Sequence, residues 1–305
     1  MNIKLILALI TLSLFFVATS AQVLIPFHLV NGYILIDAEV NHVKGKFIFD
    51  TGTPLNFMIN NNLVPLDKDA FVVRGAAGSG QVLDVYRSDI ASIKIIQANL
   101  EFKNLQNVTH TNFSFLQDSI ASDILGTFGY GIMKDYVVTI DYDRQFIKMD
   151  SDLKERPDLN KITAFHFINE GNYPEVTFTA ANGRKIQAYF DTGSQGVMKY
   201  SKSLFSELSA ENLLEVYSTG FLYGYAKPGF QTYSIRNLSY NSVVFDLKHL
   251  SYTPGEENKT SLGYSFLKDY ISVWDFKNKV ISLYKDKLSV NKKIARPAQD
   301  KKKFK

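Results

Sequence analysis

The sequence predicts a mostly β protein made of two similar lobes set about a pseudo-twofold axis. Three observations carry that expectation. First, Asp50-Thr51-Gly52-Thr53 returns as Asp191-Thr192-Gly193-Ser194, 141 residues later (Asp50 to Asp191), with Asn, Lys and Phe at matching offsets before each Asp. Second, Ile124-Leu125-Gly126 precedes Met133-Lys134-Asp135-Tyr136 much as Ser261-Leu262-Gly263 precedes Leu267-Lys268-Asp269-Tyr270. Gly126 and Gly263 lie 137 residues apart, so two independent markers share nearly one period, as in a duplicated unit. Third, runs such as Tyr33 to Val40, Lys46 to Phe49 and Val137 to Ile140 are β-branched or aromatic and are separated by Gly-containing turns.

The elements follow in chain order. Residues 1–21 read as an export signal: Lys4 gives a positive start, Leu5 to Val17 an apolar and hydroxyl run, and Ala18-Thr19-Ser20-Ala21 small residues for cleavage. The run is short for a membrane span of roughly 20 residues. Cleavage near Ala21 is therefore expected, with an exported mature protein, periplasmic or extracellular, that retains no integral membrane segment. Residues 22–150 form the first lobe; Asn31-Gly32 there and Asn182-Gly183 in the second lobe are both hairpin-type dipeptides. The seam, residues 151–162, is polar, carries Pro157 and lacks an apolar period, so it reads as an exposed connection. Residues 163–290 form the second lobe and 291–305 a basic tail. Short helices are expected around Ser201 to Leu208 and near Asn60 to Leu66.

Composition narrows the chemistry. Apolar residues at 46% and charged residues at 21% exclude a largely disordered chain. There is no Cys, which excludes disulfides, thiolate metal sites and thiol nucleophiles. From Lys285 onward nine Lys/Arg face two Asp, a surplus of +7 in a chain of net +4, so the remainder sums to −3. The basic balance belongs to the tail and does not argue for nucleic acid. The five His are scattered without metal-ligand spacing, and neither a metal nor another cofactor is expected. No Gly-x-Ser-x-Gly elbow marks a serine hydrolase. Asp141 and Asp275 recur between the lobes as turn formers at strand ends, and Trp274 reads as core or interlobe packing. Asn107, Asn112, Asn237 and Asn258 open sequons that matter only in a host that glycosylates.

The duplicated Asp is the physically unusual feature. Phe47-Ile48-Phe49 and Ala188-Tyr189-Phe190 would carry Asp50 and Asp191 into half-buried turns, where a lone carboxylate is costly unless hydrogen-bonded or sharing a proton. If the two turns meet, like charges that close cannot both ionise, and the pair holds one proton. The ionised member can take a proton from a water while the protonated member donates to a carbonyl oxygen. Such a pair hydrolyses amides without metal, Ser or Cys.

With these residues the chain, from about Leu24 to Tyr284, resembles the aspartic peptidase clan of pepsin-like and retropepsin-like enzymes, and within it fused two-lobe bacterial aspartyl proteases. The resemblance implies two retropepsin-like acid-protease β-barrel lobes in one chain, acting as a monomer on a polypeptide substrate. It implies Asp50 and Asp191 as the catalytic dyad, with Thr51, Gly52, Thr53, Thr192, Gly193 and Ser194 supporting it. Thr51 and Thr192 would brace the lobe interface, and the Gly126 and Gly263 segments would pack behind the active-site turns, where Ser261 departs from an apolar pattern. Flaps over the substrate would come from Gly75, Ala76, Ala77, Gly78, Ser79 and Gly80 in the first lobe, and from Gly220, Tyr223, Gly224 and Tyr225 in the second. Because hydroxyls at Thr53 and Ser194 can donate to the neighbouring carboxylates, an acid-shifted working range is expected. The rival expectation is a non-catalytic peptide- or polymer-binding protein on the same fold.

Overall fold

Along Tyr33–Val40 the residues Ile34, Ile36, Ala38 and Val40 are buried in the main core while Tyr33, Asp37 and Glu39 are half-exposed, a period-two strand pattern interrupted by Leu35, which is buried with Ile48 and Ile124. The same logic builds most of the chain, which is mostly β. The computed structural model describes residues 22–67, 70–77, 81–170, 173–196, 199–200, 202–222, 225–252 and 260–286. The expected export signal, the basic tail and Asn258 lie outside them. Among the described residues no helix is long and apolar enough to cross a membrane.

The first half contributes β1 (Val23–Pro26), β2 (His28–Val30), β3 (Tyr33–Val40), β4 (Val43–Asp50), β5 (Phe57–Asn60), β6 (Ala70–Ala76), β7 (Val82–Ile95), β8 (Leu100–Thr111), β9 (Ile124–Gly129), β10 (Val137–Asp141) and β11 (Phe146–Asp150). Helices α1 (Ser114–Ser119) and α2 (Tyr130–Met133) flank β9. The second half contributes β12 (Leu159–His166), β13 (Ile168–Glu170), β14 (Tyr173–Thr179), β15 (Lys185–Phe190), β16 (Lys199–Tyr200), β17 (Glu215–Leu222), β18 (Tyr225–Tyr240), β19 (Val243–Tyr252), β20 (Ser261–Leu262), β21 (Ile271–Asp275) and β22 (Val280–Asp286). Its helices are α3 (Lys202–Ala210), at the expected place, and α4 (Tyr264–Leu267).

The repeat read from the sequence has a topological counterpart. One eight-stranded sheet runs β2-β3-β4-β9-β5-β8-β7-β6 and the other β13-β14-β15-β20-β16-β19-β18-β17, the same order strand for strand. Each folds back on itself, through β3–β7 in the first and β14–β18 in the second. A third, six-stranded sheet runs β1-β11-β10-β21-β22-β12 and takes three strands from each half. At its centre Val137 pairs with Asp275, Thr139 with Val273 and Asp141 with Ile271, a register unchanged when the halves are exchanged. Asp141 and Asp275 close equivalent turns there, accepting the N–H of Arg144 (3.0 Å) and of Asn278 (2.9 Å). Trp274, fully buried on the same sheet, packs edge-on against Phe190 at 5.9 Å. Burying rings of this size contributes about 1.5–3 kcal/mol each.

Two expectations need correction. No helix forms at Asn60 to Leu66: Asn60 ends β5, the single turn in which its carbonyl accepts Val64 N–H is not continued, and Pro65 biases the residue before it away from helix. The polar seam is also shorter than 151–162, because β12 begins at Leu159, whose buried side chain and pairing with Asp286 recruit residues 159–162 into the six-stranded sheet.

Candidate active site

Parallel pairing of β4 with β9 and of β15 with β20 carries Asp50 and Asp191 off the ends of buried strands. Phe49 and Phe190, both fully buried, anchor those ends. Past each Asp the chain turns back tightly: Thr53 N–H reaches Asp50 O, and Ser194 N–H reaches Asp191 O, both at 3.2 Å. Both aspartates are half-buried.

The two turns meet. Thr51 N–H donates to Thr192 Oγ1 (3.0 Å), and Thr192 N–H donates to Thr51 Oγ1 (3.0 Å). The hydroxyls then reach across to the opposite strand ends, Thr192 Oγ1 to Phe49 O (2.9 Å) and Thr51 Oγ1 to Phe190 O (3.3 Å). Both threonines are buried, so water cannot substitute for these four bonds.

Glycine after each Thr is required by close approach. A Cβ on Gly52 would stand 2.6 Å from Asp191 Oδ1, and one on Gly193 would collide with Asp50 Oδ1. Each glycine N–H meanwhile donates to its own aspartate, Gly52 to Asp50 Oδ1 (2.7 Å) and Gly193 to Asp191 Oδ1 (2.8 Å). Each carboxylate therefore rests against the glycine that hydrogen-bonds the other. The outer shell differs between the halves. Thr53 Oγ1 donates to Asp50 Oδ2 (2.8 Å), whereas Ser194 Oγ lies 3.2 Å from Ser261 Oγ.

No protein-family model matches the chain, and no curated protein matches it.

The segment behind each turn corrects the expected equivalence of Gly126 and Gly263. Asp50 pairs with Gly129 across β4–β9, and Asp191 N–H bonds Leu262 O, so Gly129 is the counterpart of Gly263. These two glycines stand 134 residues apart (Gly129 to Gly263), each heading a short helix. The difference arises because β9 is longer than β20 and takes a register shift beside Lys46 and Phe47, with Gly126 at φ 140°. Lys134 to Lys268 is also 134 residues, a signal present in the sequence. Thr127 is thereby the counterpart of Ser261, so both halves carry a hydroxyl there and the departure at Ser261 disappears.

The expected flap residues fall on two hairpins. Gly75 and Ala76 lie in β6, not in a loop, and a Cβ on Gly75 would meet nothing within 4 Å. Ala77 N–H bonds Gln81 O at 2.8 Å, while Gly78, Ser79 and Gly80 lie outside the described residues. Gly220 lies in β17 beside a register shift, and Tyr225 pairs with Leu222 at the start of β18. Tyr223 and Gly224 lie outside the described residues.

Two tyrosines near the aspartates were not singled out from sequence. Burial pushes the Tyr173 phenol up, and the Asp50 and Asp191 carboxylates push it further, which places all three in one neighbourhood. The repeat held the clue, since Tyr33 opens β3 and Tyr173 opens its counterpart β14. Tyr142 is buried with its hydroxyl unpartnered and stacks edge-on with Tyr264 at 5.4 Å; burial raises its pKa first, then Tyr264 and Asp191. Among the described residues no group of three or more His, Asp or Glu could hold a metal ion.

Proposed function

We propose that the chain is an exported aspartic endopeptidase of two retropepsin-like lobes, hydrolysing peptide bonds through Asp50 and Asp191. The observation that carries this reading is the reciprocal contact of each carboxylate with the other aspartate's glycine. The reaction runs with one carboxyl ionised and the other protonated. The ionised member takes a proton from a water as its oxygen attacks the scissile carbonyl carbon. The other donates its proton to the carbonyl oxygen, giving a gem-diol. Return of a proton to the amide nitrogen lets the C–N bond break and leaves a carboxylic acid and an amine. Because both aspartates come from one chain, a monomer suffices. The substrate is an extended polypeptide lying under the hairpins β6–β7 and β17–β18 and pairing with them as an added strand.

The test is digestion of unfolded casein from acidic to neutral pH by the mature chain and by Asp50→Asn and Asp191→Asn. Cleavage confined to acidic pH and lost in both variants is expected. Cleavage surviving both substitutions would refute the assigned pair, and its absence from the unmodified chain would favour a non-catalytic peptide- or polymer-binding protein.

A further inference from the structure

A second site lies on the first eight-stranded sheet, apart from the aspartates. A cleft of about 370 Å³ opens between the chain leaving the Asp50 turn, strand β8 and the start of α2. Two cations line it, Arg87 from β7 and Lys134 just after α2. Both are exposed, and neither has an ion-pair partner among the described residues. Asp89, two positions along β7 from Arg87, accepts the backbone N–H of Asn107 at 3.0 Å. Asn56 and Gln106 add neutral amide donors, while Leu55 and Leu105 supply apolar wall. The cleft is within the usual range for small-ligand sites, roughly 300–1,000 Å³.

We propose that this cleft binds a carboxylate carried on an apolar stem, either a free acid or an acidic side chain of a polypeptide. Arg87 and Lys134, neither of them ion-paired among the described residues, set the charge of the ligand, and the guanidinium fork matches the two oxygens of a carboxylate. Phosphate sites draw on converging backbone N–H groups, and here the two at the start of α2 are already committed. Tyr130 N–H donates to Thr53 O (2.8 Å) and Gly131 N–H to Leu55 O (3.1 Å). The Thr109 hydroxyl is likewise spent on Phe57 O (2.9 Å). The charged side-chain donors Arg87 and Lys134 stand beside an apolar wall of Leu55 and Leu105, which suits a monoanionic head on a hydrocarbon stem.

Calorimetric titration of the mature chain tests this with hexanoate against hexanamide, acetyl-Gly-Glu-Gly-amide against its Gln counterpart, and inorganic phosphate. At least one carboxylate is expected to bind about tenfold tighter than its amide, with that preference lost in Arg87→Gln and Lys134→Gln and partly kept in Arg87→Lys. Hexanoate alone would identify a free acid as ligand, and the Glu peptide alone an acidic side chain. Three results would overturn the proposal: no preference for carboxylate in either arm, tighter binding of phosphate, or a preference unchanged in Arg87→Gln. Both positions are exposed, and urea midpoints equal to that of the unmodified chain establish that the variants fold. Binding is read without turnover, so this outcome is independent of the hydrolytic reading.

Discussion

Replacing Thr192 by Val removes one hydroxyl and changes the shape of the side chain hardly at all. It withdraws the acceptor from Thr51 N–H (3.0 Å) and the donor from Phe49 O (2.9 Å), at a residue with no solvent exposure. Each buried group left unpaired costs about 1–3 kcal/mol, so the variant should lose about 3 kcal/mol. Thr51→Val withdraws an acceptor at 3.0 Å and a donor at 3.3 Å; the second bond is longer and weaker, and about 2 kcal/mol is expected. The double variant orphans four groups and should lose about 5 kcal/mol, a large share of a typical stability of about 5–15 kcal/mol. Urea unfolding followed by Trp274 fluorescence measures all three. With a slope of roughly 3 kcal/mol per molar, Thr192→Val should lower the midpoint by about 1 M. Thr192→Ser keeps the hydroxyl and should recover most of the loss. A cost below about 0.5 kcal/mol for Thr192→Val would refute the claim that these bonds hold the two turns together.

Three further outcomes follow from the same geometry. Gly52→Ala and Gly193→Ala place a methyl against the opposite carboxylate, and should lower casein hydrolysis at least about a hundredfold while costing only about 1–3 kcal/mol in urea unfolding; activity near that of the unmodified chain would contradict the close approach. Thr53→Ala removes the hydroxyl that donates to Asp50 Oδ2 at 2.8 Å and holds that carboxylate in place, so casein hydrolysis should fall about tenfold. Ser194→Ala should lower it less, because Ser194 Oγ lies beside Ser261, and equal losses would remove the asymmetry. Asp50→Asn with Asp191→Asn strips two negative charges from around Tyr173, so its phenol should titrate at lower pH, though still above an ordinary tyrosine because burial is the larger cause; an unmoved ultraviolet titration would place Tyr173 away from the pair.

The legible parts of this protein were those written as local chemistry and repeated. Asp50 and Asp191 stood out because a carboxylate ending an apolar strand is costly, and because the pattern occurs twice at one spacing. Asp141 and Asp275 were legible as turn formers for a similar reason: an Asp side chain accepts a nearby backbone N–H whatever surrounds it. Strand texture made the mostly β fold readable. The helix expected at Asn60 to Leu66 failed where Asn60 found long-range partners, Phe113 N–H and Ile124 O, that helical pattern does not register.

Taken alone, the chain's residues determined its β character, its duplication and which acids to watch, because propensity, period and turn chemistry act over a few neighbours. Tertiary structure decided that Gly129 rather than Gly126 answers to Gly263, that Tyr173 stands near both aspartates, and that Arg87 and Lys134 line one cleft. Those relations depend on strand register and on contacts between residues far apart along the chain. No local pattern specifies them, since a shift of a single residue in pairing turns each side chain to the other face of its sheet.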